Sequence, residues 1–534
     1  MTSAQPSSFA LRFLLPSVRD IIFIFLFWSV LAGPLSNRPL ADADIGWHIR
    51  TGEQILATHS LPRSDPFSST MHGQDWFAWE WLYDIALGVS HRFGGLNGVV
   101  WLCALLVSAT FALLLSLLLR RGTGLLLAVV LMLLAEAAAT IHLFARPHIV
   151  SWLFSLLWFV TLERWEGSEN QRVARWIPWF FPVSMLLWVN LHGGWIFGIA
   201  LLGIYALATF VESVRLAKTD PFAAIGAAQR ARGMAAAVVA SAVATLVNPY
   251  GWRLHLHIYR YLSDRYLMNR IDEFQSPDFH GWAQRCFAMI LVLTLAALAG
   301  NREVKLRVSG VLVVLLSVYA GLYSARNLPV SSMLLVLIAG PVLWENFISL
   351  AEKPGAWTWM RRGVARTSEF SERMGAQEME LRGHFWPVVS VALALGICLQ
   401  GGWLGSRQWI HAQFDANKMP VAAVAFLQQE SAGPQGRAEP VFSTDAWGGY
   451  LIYRMYPARQ VVIDDRHDLY GPERIRQYLT LIQVEPGWQS VIEQWHIRTA
   501  LLPRDSTLAG LLRELPGEWR LAHEDKVAVV FERR

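Results

Sequence analysis

The chain has 534 residues, of which 54% are hydrophobic and only 16% charged, with a net charge of +5. A soluble chain carries about 25% charged residues, so the deficit excludes a multidomain soluble enzyme and points to a polytopic α-helical membrane protein. The positive excess forms no basic block interleaved with aromatics, which argues against a nucleic-acid partner, and the three cysteines (Cys103, Cys286, Cys398) lack metal-ligand spacing and read as small hydrophobes.

In chain order the apolar runs fall at about 18–36, 97–119, 123–141, 147–162, 177–191, 194–212, 233–248, 284–300, 308–324, 329–346 and 385–403. Each approaches the roughly 20 residues that cross a bilayer, so about 11 transmembrane helices are expected. The first run reads as a signal anchor rather than a cleaved signal peptide. The 25 tryptophans suit interfacial belts.

Loop charges set the expected orientation. Basic residues recur in alternate loops: Arg12 and Arg19; Arg120 and Arg121; Arg164, Arg172 and Arg175; Arg215, Lys218, Arg230 and Arg232; Arg302, Lys305 and Arg307; then Lys353, Arg361, Arg362, Arg366, Arg373 and Arg382. The positive-inside rule makes these loops cytoplasmic. The amino terminus is then inside, and the tail after the last span is outside.

The opposite loops hold a different chemistry: "ADADIGWHIRTGEQIL", "LPRSDPFSS" and "WFAWEWL" in a long first loop of about 37–96, then "HLFARPH", "NLHGGW", "NPYGW", "RIDEF" and "SARNLP". Ionisable groups at a bilayer edge are costly unless paired or lining a polar cavity. Their gathering on one face predicts an extracytoplasmic cavity, with Asp42, Asp44 and Glu80 as its acids and His48, His148, His192 and Asn190 among its lining. Each residue also has a plainer reading. Asp42 and Asp44 could be solvated loop acids or helix caps, the histidines interfacial hydrogen-bonding groups, and Arg146 and Arg326 snorkelling anchors rather than anion binders. "WFAWEWLYDIALGV" reads as an amphipathic helix on the membrane surface, which leaves Glu80 either facing the cavity or capping.

The tail, 407–534, loses hydrophobicity and alternates strand with helix. "EPVFST", "QVVIDD", "RTALLP", "WRLAHE" and "KVAVVFER" read as strands, and "MPVAAVAFLQQE", "GPERIRQYLTLI" and "STLAGLLRELP" as helices. That pattern makes a small extracytoplasmic α/β domain after a transmembrane domain of 1–406. "WGGYLIY" suggests a glycine-permitted close approach. "IDDRHDLY" clusters charges at a strand end, where a ligand site competes with an ion pair between Asp464 or Asp465 and Arg466.

The set "DADIGWHIRTGE", "LPRSDPFSS", "WEWL", "WVNLHGG", "LVNPYGW" and "ARNLP", with "WGGYLIY" and "VVIDDRHDLY" in the tail, resembles the GT-C superfamily of integral-membrane glycosyltransferases. The likeness is to the bacterial RgtA/B/C/D-like and dolichyl-phosphate-mannose mannosyltransferase-like group. It implies an enzyme of the cytoplasmic membrane that moves a sugar, with inversion, from a polyprenyl-phosphate donor to a glycan, lipid or protein acceptor. On that reading Asp42 and Asp44 divide two roles, one as the base that takes the acceptor's proton and the other orienting the acceptor or holding a cation. The family's acid lies at Asp44, which favours it as the base; the spacing does not decide between them. Glu80 is the next acid. Arg146 and Arg326 hold the donor phosphate with their forks of donors. Asp42 and Asp44 are the tentative ligands of an Mg²⁺ or Mn²⁺ ion that would share substrate oxygens. Two other readings are a transporter or flippase for lipid-linked glycans and a non-catalytic envelope-assembly scaffold. A transporter would put polar groups at mid-membrane, whereas here they gather at one face.

Overall fold

The computed structural model describes residues 13–167, 171–300, 306–352, 357–381, 384–432 and 439–534. Of the basic loop residues, Arg12, Arg302, Lys305, Lys353 and Arg382 lie outside these ranges. The helices before the tail are α1 (Val18–Leu31), α2 (Ile45–Thr58), α3 (Trp81–Arg120), α4 (Leu125–Ala139), α5 (His148–Glu166), α6 (Gln171–Leu191), α7 (Trp195–Leu216), α8 (Pro221–Ala244), α9 (Trp252–Ser263), α10 (Trp282–Gly300), α11 (Val308–Tyr323), α12 (Leu328–Ser349), α13 (Thr358–Glu380) and α14 (Phe385–Leu399). Every apolar run read from the sequence lies mostly on one of them. Among the described residues, five helical segments are long and apolar enough to cross a membrane, and the chain is multi-pass.

Local signals set the helix ends. Ser17 and Asp20 close a reciprocal capping box at the start of α1. The 40 residues of α3 are two helices joined at Gly95, whose φ of 57° and ψ of −147° an L side chain rarely adopts. The helix before this joint begins at Trp81 rather than at Trp76. Residues 76–80 are irregular and place Glu80 at its N-cap.

In the tail, α15 (Val421–Ala432), β1 (Val441–Ser443), α16 (Asp445–Met455), α17 (His467–Ile482), α18 (Trp488–Gln494), β2 (Thr499–Pro503), α19 (Thr507–Arg513), β3 (Trp519–Glu524) and β4 (Ala528–Arg533) follow one another. The sheet order is β1-β2-β4-β3, with β1 parallel to β2 and the other two pairs antiparallel. Ala500 lies opposite both Phe442 and Phe531, so the sheet interior is apolar. The expected strand "QVVIDD" is a single bridging residue, Val461. Its backbone is divided between β1 on one side and the first loop on the other, where Ser69 N donates to Val461 O (2.8 Å) and Val461 N to Phe67 O (3.1 Å). No ladder grows from so short a pairing.

The tail therefore packs on the first loop, and the two lie on the same side of the spans. The seam is closest where α16 crosses the start of α2. A Cβ on Gly46 would overlap the Gly449 carbonyl, and one on Gly449 would overlap the Ala43 carbonyl oxygen. The sequence "WGGY" is thus a close approach, as its glycines suggest. Below it, Arg466 pairs with Asp65 of the loop (2.8 Å) and Asp464 of the tail (2.7 Å), all three buried. Its guanidinium lies 4.7 Å over the Trp76 ring.

Candidate active site

A cavity of about 1110 Å³ opens between the helix ends, the first loop and the tail. Two charged clusters face into it. The first begins where Asp42 turns the chain into α2. Its Oδ1 accepts from Asp44 N (2.9 Å) and its Oδ2 from Arg146 Nη1 (2.8 Å). Arg146 Nη2 lies 3.1 Å from Asp44 Oδ2. Asp44 is the N-cap of α2 but makes no side-chain cap bond, so its carboxylate is left for the cavity. The tail adds Asp465, and oxygens of Asp42, Asp44 and Asp465 all lie within 4.8 Å of one another. Asp44 Oδ1 and Asp465 Oδ1 are buried with no hydrogen-bond partner.

The second cluster centres on Glu80, which sits 3.8 Å from His48 Nε2 and 3.7 Å from His192 Nε2. Arg326, in the turn between α11 and α12, donates from Nη1 to Glu273 Oε1 (2.7 Å) and lies 3.1 Å from His192 Nε2 through Nη2. Trp188 Nε1 donates to Ser151 Oγ (2.7 Å), which leaves the serine proton for His192 Nδ1 at 2.7 Å.

Burial sets the acid–base character. It pushes the Asp44 carboxyl up to about 6, with Arg146 opposing and Asp42 adding to the rise. Asp465 is pushed well above the usual carboxylate range by burial and then by Asp44 itself. Glu80 rises to about 7, again through burial, against the pull of Arg326 and Arg146. At Glu273 burial is outweighed by Arg326 and Arg146, which hold it down to about 2. The cavity thus combines carboxyls that titrate near neutrality with arginine forks that suit phosphate. Three clustered carboxylates, two of them with an unpartnered oxygen, also fit an oxygen-seeking cation such as Mg²⁺ or Mn²⁺.

Of the residues singled out in the sequence, Asp42, Asp44, Glu80, Arg146, Arg326, His148 and His192 line this cavity. Two do not. His48 is fully buried behind Glu80, with Nδ1 2.6 Å from Asp84 Oδ1. Asn190 joins helix ends instead: its Oδ1 accepts from Trp81 Nε1 (2.8 Å) and its Nδ2 donates to Leu186 O and Val247 O (2.8 and 2.9 Å). The sequence did not single out Glu273, and it left open whether Asp464 or Asp465 pairs with Arg466. In the fold Asp464 takes the Arg466 pairing, which leaves its neighbour Asp465 free to face Asp44.

The sequence matches no protein-family model and no curated protein. Solved structures do match. The archaeal oligosaccharyltransferase AglB from Archaeoglobus fulgidus, in complex with an inhibitory peptide and a dolichol-phosphate, is 12% identical over 91% of this chain and 69% of its own, at a TM-score of 0.55. The apo oligosaccharyltransferase of the same organism gives 11%, the same coverage and 0.54. Apo ArnT from Cupriavidus metallidurans gives 13% over 96% of this chain and 97% of its own, at 0.49. A match over nine-tenths of the chain gives this protein the fold of these oligosaccharyltransferase structures.

Proposed function

We propose that the protein is an inverting glycosyltransferase of the cytoplasmic membrane. It takes its sugar from a polyprenyl-phosphate donor and passes it to an extracytoplasmic glycan, lipid or protein acceptor. The observation that carries this reading is the pairing, in one cavity at the helix ends, of a carboxylate cluster with an arginine centre. The dolichol-phosphate bound to the oligosaccharyltransferase of the same fold supports a lipid phosphate here.

Asp44 takes the proton of the acceptor hydroxyl as that oxygen attacks the anomeric carbon. The bond from that carbon to the phosphate oxygen breaks, and a single displacement inverts the centre. A base raised towards neutrality but still ionised at pH 7 is well matched to this task. The departing phosphate gathers charge, and the guanidinium of Arg326 receives it with preorganised donors. Arg146 already carries two carboxylates at 2.8 and 3.1 Å, so its main work is to hold Asp42 and Asp44 in place. A divalent cation would be held by Asp42 and Asp465 beside Asp44, and would supply neutralising charge to the donor's oxygens.

Arg326 tests the assignment. Arg326→Gln is expected to weaken donor binding and transfer by at least about tenfold, since charge-assisted bonds are about twice as strong as neutral ones. Arg326→Lys keeps the charge but not the fork and should lose less. Donor binding at the parental level in Arg326→Gln returns the residue to the snorkelling class.

The alternating basic loops put the cavity, the first loop and the tail outside. In a background without Cys103, Cys286 and Cys398, cysteines placed at the exposed positions Gln74 and Thr507 should react with an impermeant thiol reagent in intact cells. A cysteine at Glu369 on α13 should not. Labelling at Glu369 alone reverses the orientation.

A further inference from the structure

The segment between α8 and α10 forms a strap along one side of the cavity. Ile258, Tyr261 and Leu262 of α9 line the cavity, as do residues 271–278. The strap is fastened at two places. Towards the tail, His257 Nε2 lies 2.9 Å from Asp468 Oδ2, with its ring stacked on Phe77 at 4.5 Å, and Arg476 lies 4.7 Å over the Tyr266 ring. Towards the spans it is held by the turn that carries Arg326. There Ala325 N donates to Gln275 O (2.9 Å), Ser324 Oγ to Glu273 O (2.8 Å), and Arg326 Nη1 to the Glu273 carboxylate (2.7 Å).

The three arginines of the cavity differ in what already occupies them. Arg466 is buried between two carboxylates, and Arg146 is shared by two. Arg326 has one carboxylate partner, and that pair is partly open: its side chains are 30% and 23% exposed. Of the three it is therefore the guanidinium that an incoming anion reaches most readily. Beside it stand His192 and the turn into the 22-residue helix α7, where Gly193 and Gly194 line the cavity. The position taken by the Glu273 carboxylate is therefore an anion position on a guanidinium, beside the cavity.

We propose that Glu273 is a placeholder for the donor's phosphate. It fastens the strap beside the cavity, and an incoming lipid phosphate displaces it from Arg326, which frees residues 264–281 to move. The inference rests on the reading of Arg326 as the phosphate ligand. Displacement conserves charge, since one anion replaces another on the same guanidinium, and Glu273 then enters water. The fastened state lowers apparent affinity by the fraction of released protein, so removing the placeholder should raise that affinity.

The test uses the full chain in lipid nanodiscs with a polyprenyl monophosphate as the probe. Glu273→Gln, which is nearly isosteric, should bind the probe at least about fivefold more tightly than the parent. Glu273→Asp, which keeps the charge, should bind as the parent does or more weakly than Glu273→Gln. Hydrogen exchange in residues 264–281 should rise when the parent binds the probe, and should already be raised in unliganded Glu273→Gln. Equal affinity in parent and Glu273→Gln, with no exchange change on binding, overturns the placeholder while leaving the donor site standing. Weaker binding by Glu273→Gln also overturns it, because the carboxylate would then help to hold the lipid. If the parent does not bind the probe, or Arg326→Gln binds it equally well, the phosphate reading itself fails and takes the placeholder with it.

Discussion

Asp44→Asn is expected to leave expression and membrane insertion intact and to lower glycosyl transfer by at least about 10²-fold, the lower end of what general-base catalysis supplies. Asparagine fills the same space at the start of α2 and can still meet Arg146 with its carbonyl oxygen, but it cannot accept a proton at neutral pH. The pH profile gives an independent check. With the Asp44 carboxyl pushed up to about 6, transfer should fall as pH drops through about 6 rather than through the usual carboxylate range. The stability sign runs the other way. A carboxyl raised in the fold favours the folded state while protonated, so the contribution of Asp44 to stability is largest below its ordinary value of 3.8 and is lost as pH rises through about 6. Activity and stability should therefore move in opposite directions across that window. Asp42→Asn should also impair transfer and should change its response to divalent cations. Parental rates in both single variants and in the double variant would move the base to Glu80.

Much of this site was legible because the chain places its chemistry at span boundaries. Asp42 and Asp44 follow the first apolar run, Arg146 precedes α5 and His148 begins it, His192 follows the end of α6, and Arg326 sits in the turn before α12. A polar residue at such a boundary stands out against an apolar background, and the loop charges say which boundaries share a face. What failed to show were the partners. His48 and Asn190 carry the same boundary signature, yet one is buried against Asp84 and the other ties Trp81 to two backbone carbonyls. Position alone cannot say which way a side chain turns. Asp465 was harder still. It lies more than 400 residues from Asp44, and nothing local distinguishes it from Asp464. The distinction appears only once Arg466 has chosen Asp464 and Asp65, which turns the next carboxylate in the chain towards the cavity. Glu273 was hidden for a related reason. "RIDEF" reads as an ordinary acidic loop until the fold lays it across the arginine of "SARNLP".

The seam between first loop and tail should be the most damaging place to cut. Arg466 is 3% exposed and compensates two carboxylates that are themselves 1% and 0% exposed, Asp65 and Asp464. Removing one partner of a buried ion pair leaves uncompensated charge and costs about 3–5 kcal/mol. Arg466→Ala also strips the cation from the Trp76 face, and Trp76 walls the cavity. We expect the tail of this variant to become sensitive to limited proteolysis and its thermal transition to fall. Transfer should drop by about 10²-fold, since a displacement of about 1 Å at a reacting group has that effect. A triple variant separates lost charge balance from lost shape. Replacing the whole network (Asp65→Asn, Asp464→Asn and Arg466→Met together) removes all three of its buried charges, and such wholesale replacement is often neutral. If the seam's value is charge compensation, the triple variant should recover much of the protease resistance that Arg466→Ala loses. Transfer should recover only as far as Asp465 is returned to Asp44, because the glycine contact between α2 and α16 still holds the two segments together while the arginine no longer aims the loop between them. A protease-resistant tail and an unchanged transition in Arg466→Ala would mean that the glycine contact alone fastens the tail, and that Arg466 is not what brings Asp465 to the centre.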